Sequence, residues 1–132
     1  MLKYMLDTNI VIYVIKRKPV ELIDVFNSHA GQMCISSITM AELLHGVEKS
    51  EQVERNRRQV EDFISRLDVL DYGPKAAAHY GDIRADLERK GAAIGVNDLH
   101  IAGHARSEGL TVVTNNLREF ERVEALQTVN WV

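Results

Sequence analysis

Four short apolar runs, each closed by a polar or turn residue and separated by longer segments of helical periodicity, constrain this chain more than any other feature. The runs are Leu2–Leu6, Met33–Ser36, Val69–Tyr72 and Leu110–Thr114, with a weaker fifth at Thr128–Val132. Short runs rich in β-branched and large apolar residues suit strands covered on both faces. Between them, Pro19–Asn27 opens with proline at a first-turn position and sets Val20, Ile23 and Phe26 on one face. Thr39 followed by Glu42 has capping-box spacing and opens a helix through about Lys49. Ser50–Arg66 is charged and amphipathic, with Val53, Val60, Ile64 and Leu67 as its apolar stripe. Ala76–Lys90 ends at Gly91, and Asp98–Ser107 ends at Gly109. Strands alternating with helices predict an α/β, Rossmann-like fold: a three-layer arrangement in which a mostly parallel sheet of four to five strands is flanked by helices. Chemistry in such folds gathers at the C-terminal ends of the strands.

The 132 residues fit one domain, 1–132, large enough to bury a core without disulfides. Cys34 is the single cysteine, which excludes a disulfide scaffold and suits a reducing, cytoplasmic setting; within Met33-Cys34-Ile35 it reads as a small buried hydrophobe. The balance of 16 Lys+Arg against 19 Asp+Glu excludes a protein that holds nucleic acid by bulk charge alone, though it permits a local basic patch. No apolar stretch approaches the ~20 residues needed to span a bilayer, and the first six residues are too short for a signal peptide, so no membrane partner is expected.

Acidic and amide side chains fall where the strands end. The first strand runs into Asp7-Thr8-Asn9, the second into Ser36-Ser37 with Glu42 in the following helix, and the fourth into Thr114-Asn115-Asn116; Asp98 opens a helix of its own. Taken singly, each has an ordinary reading. Asp7 is a turn or helix-cap residue, Glu42 the partner in a capping box, and Asp98 a complement to a helix dipole. Taken together, they bring carboxylates from separate elements to one edge of a sheet, which helix capping alone does not require. Carboxylates that crowd together raise one another's pKa unless a cation neutralises them. Oxygen-only ligands suit hard ions such as Mg²⁺ or Mn²⁺, whose usual chemistry is phosphoryl or phosphodiester work.

The segments Met5-Leu6-Asp7-Thr8-Asn9, Ser37-Ile38-Thr39-Met40-Ala41-Glu42-Leu43, Ile94-Gly95-Val96-Asn97-Asp98-Leu99-His100-Ile101-Ala102 and Val113-Thr114-Asn115-Asn116-Leu117-Arg118-Glu119-Phe120 stand in this order along the chain. In that order and spacing they resemble PIN-domain ribonucleases, specifically the VapC toxins of bacterial VapBC toxin–antitoxin modules. The resemblance implies a PIN-like fold with Asp7, Glu42 and Asp98 as catalytic carboxylates holding Mg²⁺, for which Mn²⁺ can substitute. The family often carries a fourth acidic residue at the position of Asn116; here it is a neutral amide, and one firmly held ion is expected. Asn9, Thr39, Thr114 and Asn116 are implied as groups that orient carboxylates or water, Asn116 also as an additional ligand. The implied activity is hydrolysis of RNA to 5′-phosphate and 3′-hydroxyl ends, with the anticodon region of initiator tRNA as the favoured substrate. A VapB-type antitoxin and a second copy of the chain, as a homodimer, are the implied partners.

Other signals are weaker. His100 and His104 share a helix face, but no third zinc ligand stands at a suitable spacing, and His45 lies one turn after Glu42 as a possible substrate contact. Among the basic clusters, Lys16-Arg17-Lys18 is the favoured RNA contact; Arg55 with Arg57-Arg58, Arg84 with Arg89-Lys90, and Arg118 with Arg122 read as solvated helix faces. Ile10, Val11, Tyr13, Val14, Leu43, Leu44 and Val47 read as core, or alternatively as a dimer face and an antitoxin groove. Competing functions are an Asp-nucleophile phosphatase or phosphotransferase built on Asp7, a receiver-like signalling domain, and a catalytically inactive PIN-like binding module. The phosphatase class wants a second aspartate where Asn9 stands. The receiver class wants a lysine directly after the fourth run, and none is there.

Overall fold

A computed structural model describes residues 1–132. In chain order the elements are β1 (Tyr4–Leu6), α1 (Thr8–Lys16), α2 (Glu21–Ser28), β2 (Met33–Ser36), α3 (Ser37–Glu48), α4 (Val53–Ile64), β3 (Asp68–Leu70), α5 (Pro74–Arg89), α6 (Val96–Ser107), β4 (Thr111–Val113), α7 (Leu117–Phe120) and β5 (Thr128–Val129). The strands form one sheet in the order β3-β2-β1-β4-β5, and every pairing is parallel. The chain runs outward from β1 to β3, then crosses back to place β4 on the other side of β1. The reversal of direction falls between β1 and β4, the place where open α/β sheets leave a crevice.

Strand alternation divides the apolar residues between the two faces of the sheet. Met5, Cys34 and Val112, paired across neighbouring strands, join the helical residues Ile83, Leu87, Leu99, Ile101, Ala102 and Ala105 of α5 and α6. Leu6, Met33, Ile35 and Val113 face the other way, onto α1 to α4, with Ile10, Val11, Val14, Leu22, Phe26, Leu43, Val47, Val60 and Phe63. The three inner strands β1, β2 and β4 are therefore covered on both sides, which is why they read as short continuous apolar runs, while the edge strands β3 and β5 are only partly buried. Of the residues that had two readings, Ile10, Val11, Val14, Leu43 and Val47 are core, Tyr13 is partly buried, and Leu44 is exposed. No helix is long and apolar enough to cross a membrane.

Several boundaries differ from the sequence expectation for local physical reasons. α3 begins two residues before Thr39, because the hydroxyl of Ser36 accepts from the Ile38 amide at 3.1 Å and caps the helix. Thr39 is consequently an interior residue, wholly buried, and Glu42 is free of any capping duty. β3 stops before Tyr72, whose amide donates to the Ser37 hydroxyl at 3.0 Å and turns the chain toward Pro74. The one-turn helix α7 carries too few residues for periodicity to announce it. α5 and α6 approach so closely at Gly103 that a Cβ there would lie 2.9 Å from the Tyr80 nitrogen and 3.2 Å from the Ala76 carbonyl oxygen.

Candidate active site

Asp7 leaves the end of β1 and caps α1, its Oδ1 accepting from the Ile10 amide at 2.9 Å. Its Oδ2 accepts a short hydrogen bond from the hydroxyl of Thr114, which follows β4 on the other side of the crevice. The pair thus straddles the point where the sheet reverses direction. Asp7 is 3% exposed. Burial raises its pKa, the bonds from Thr114 and Ile10 oppose that rise, and the charge of Glu42 adds to it. Thr114, itself wholly buried, also accepts from the Asn116 amide at 2.8 Å, which fixes the direction of its proton toward Asp7.

Glu42 projects from the second turn of α3. Its Oε1 accepts from the Thr8 hydroxyl at 2.6 Å and its Oε2 from the Asn97 side-chain amide at 2.8 Å. Thr8 Oγ1 lies 3.4 Å from Thr39 Oγ1, so the buried threonine backs the exposed end of this chain of contacts. Asp98, in the first turn of α6, is half-buried, and its carboxyl is pushed up to about 7. Burial is the largest cause, followed by a hydrogen bond to Glu119 and by the charges of Glu119, Asp7 and Glu42. Asn116 donates from Nδ2 to Glu119 at 2.9 Å and lies 3.5 Å from Asp98 Oδ2.

Asp7, Glu42 and Asp98 therefore share one edge of the sheet, as the spacing of their motifs implied, and Glu119 joins them from α7. Sequence reasoning passed over Glu119, Thr8 and Asn97 although all three lie inside the quoted motifs. It looked for the fourth charge at Asn116, whereas α7 supplies it one helical turn later. Asn9 is exposed and makes no side-chain hydrogen bond. Arg17 lines a groove with Phe26 and Asp62, whereas Lys16 and Lys18 line the adjoining one.

None of the four carboxylates is ion-paired to a lysine, arginine or histidine of the chain. Their charge is met by hydroxyl and amide donors, and burial and crowding push the Asp98 carboxyl up to about 7. This all-oxygen, uncompensated donor set fits a hard divalent cation. In this arrangement no three of the groups close on a single point at ligand distance. The histidines belong to other structure. His104 is 1% exposed and bonds the Ser36 hydroxyl at 2.7 Å, while His100 stacks on Tyr80 and bonds the Tyr72 hydroxyl at 2.8 Å. Burial lowers the pKa of both rings. His45 is exposed on α3.

The PIN domain matches residues 4–126. Ribonuclease VapC of Haemophilus influenzae is 67% identical over 132 residues, covering 100% of both chains. The tRNA(fMet)-specific endonuclease VapC of Shigella flexneri is 57% identical over 131 residues, 99% of each chain. The crystal structure of DNA-bound VapBC from Salmonella typhimurium superposes with a TM-score of 0.96 at 57% identity, over 100% of both chains.

Proposed function

The chain belongs to the PIN-domain family, and from that premise we propose that it is an endoribonuclease toxin of the VapC type. It acts with a divalent cation, Mg²⁺ or Mn²⁺, on the anticodon region of initiator tRNA, as one domain in the cytoplasm. It works as a homodimer restrained by a VapB-type antitoxin. The observation that carries the reading is the arrival of Asp7, Glu42, Asp98 and Glu119 from four elements on one edge of the sheet, with no cation of the chain among them.

Asp7, Glu42 and Asp98 are the proposed ligands and catalytic carboxylates. When bound, the ion supplies Lewis acidity, acidifying water and neutralising charge on the scissile phosphate. The chain supplies orientation. Thr114 and the Ile10 amide hold the two oxygens of Asp7; Thr8 and Asn97 hold those of Glu42. The carboxyls of Asp98 and Glu119 lie against one another; burial, with this contact, raises the Asp98 pKa to about 7, and Asn116 donates to Glu119. A cation held by Asp98 would compete with a proton there, so affinity for the ion should rise with pH up to about 7.

An apolar groove of about 280 Å³ between α1, α3 and α4 carries Ile12, Ile15, Leu43, Val47 and Val60 and ends at Glu42. It suits an amphipathic antitoxin helix that places a cation against the carboxylates. The inactive-module alternative drew its support from Asn116, and Glu119 restores the charge that Asn116 lacks. The deciding experiment incubates the protein with initiator tRNA and with total RNA, in Mg²⁺, Mn²⁺ or EDTA, and maps the ends produced. Cleavage to 5′-phosphate and 3′-hydroxyl ends, lost in EDTA and in Asp7→Asn, is expected. Cleavage that survives either change overturns the mechanism.

A further inference from the structure

Beside the carboxylate edge, the end of α1 and the outer face of α4 enclose an open notch of about 600 Å³. Its lining holds three cations, Lys16, Lys18 and Arg55, and three amides, Gln52, Asn56 and Gln59. Ile15 is the single apolar residue there and Glu51 the single acid. None of the three cations is ion-paired. Arg55 reaches only the neutral Gln52 Oε1, at 3.0 Å. The backbone decides which of the neighbouring basic residues take part. Arg17 ends α1 in the left-handed region, with φ of 56°, and its side chain lines an adjoining groove that shares Ile15 and Gln59 with the notch, while Lys16 and Lys18 line the notch itself.

Lys16, Asn56 and Gln59 also line the neighbouring groove that includes Glu42, so the notch is continuous with a surface that reaches one of the carboxylates. We propose that this notch holds the phosphates of the RNA strand flanking the cleavage point. The inference rests on the ribonuclease reading above and specifies where its substrate lies. A polyanion approaching four carboxylates meets repulsion at the chemical step, and binding needs cations set to one side of it. Lysines meet phosphates as point charges, and carboxamides donate to phosphate oxygens and ribose hydroxyls. From Gln52 to Gln59 the helix rises roughly 10 Å, a length that spans more than one phosphate of an RNA strand. An antitoxin helix wants the apolar groove next door, not a lining with one hydrophobic residue in eight.

The test uses the anticodon stem-loop RNA of initiator tRNA as probe. In an Asp7→Asn background, which binds without cutting, affinity is measured across a salt series. Each lost single-strand phosphate contact removes about 0.7 from the slope of log K against log salt. The triple substitution Lys16→Gln, Lys18→Gln, Arg55→Gln should therefore flatten the slope by about 2. Lys3→Gln with Lys75→Gln and Arg89→Gln, exposed cations elsewhere, should leave it unchanged. With Asp7 restored, the notch triple should raise KM and spare kcat. An unchanged slope while the parent still cleaves RNA overturns the notch and leaves the ribonuclease reading standing. So does a loss confined to antitoxin affinity. If the parent neither binds nor cleaves any RNA, the ribonuclease reading fails and the notch proposal with it.

Discussion

Replacing Asp98 by Asn should stabilise the cation-free protein at neutral pH, although it removes a proposed ligand. Burial and then Glu119, Asp7 and Glu42 push the Asp98 carboxyl from 3.8 up to about 7. Between those values the folded state keeps a proton that the unfolded chain has already lost. Raising the pH through this window therefore draws the equilibrium toward unfolding. Roughly three pH units at ~1.4 kcal/mol each amount to about 4 kcal/mol for a fully sequestered group. Asp98 is only half-buried, and solvent screening brings the figure to about 2 kcal/mol. An amide at this position carries no charge at any pH and still has a donor for Glu119. Urea denaturation in EDTA should show Asp98→Asn more stable than the parent by about 2 kcal/mol at pH 8 and by less than about 1 kcal/mol at pH 5. Added Mg²⁺ should narrow or reverse the order, because only the parent gains the full binding energy. A variant less stable than the parent at pH 8 in EDTA, or a gain that does not change with pH, would refute the electrostatic reasoning.

Three further outcomes follow from contacts elsewhere. Thr114→Val keeps the shape of the side chain and removes the hydroxyl that holds Asp7 Oδ2; metal titration by calorimetry should show affinity reduced roughly 10–100-fold, and unchanged affinity would show that this bond does not position the ligand. Gly103→Ala drives a methyl into backbone atoms of α5, which cannot rotate away; thermal denaturation should reveal a loss of about 2 kcal/mol and a Tm lower by roughly 5–10 °C. Cys34 is wholly buried, and burial pushes its thiol up to about 12; a thiol reagent at neutral pH should label it only in denaturant, and rapid labelling of the folded protein would contradict the packing of β2.

What could be read from the chain was whatever neighbours along it decide. Apolar runs of a few residues, helical stripes, and the glycines after α5 and α6 depend on contacts within about one or two turns. They sufficed for a parallel α/β sheet and for its edge as the place to look. Asp7, Glu42 and Asp98 were legible because each sits beside a strand end or helix start that local pattern already marks. Tertiary structure decided which groups serve those carboxylates. Thr114 and Asp7 are 107 residues apart, Asn97 and Glu42 55, Thr8 and Glu42 34. Those meetings depend on β1 lying between β2 and β4 and on α6 packing against α3, an order that periodicity does not encode. The same cause hid Glu119, carried by a single helical turn, and Arg55, which faces Lys16 and Lys18 only because α4 lies against α1. Thr39 and Glu42 show the difference most plainly. Their spacing is that of a capping box, yet the hydroxyl of Ser36 captures the helix end first, and packing buries Thr39 and leaves Glu42 to the site. Local chemistry offers each residue a small set of roles, and the long-range contacts that repay chain entropy choose among them.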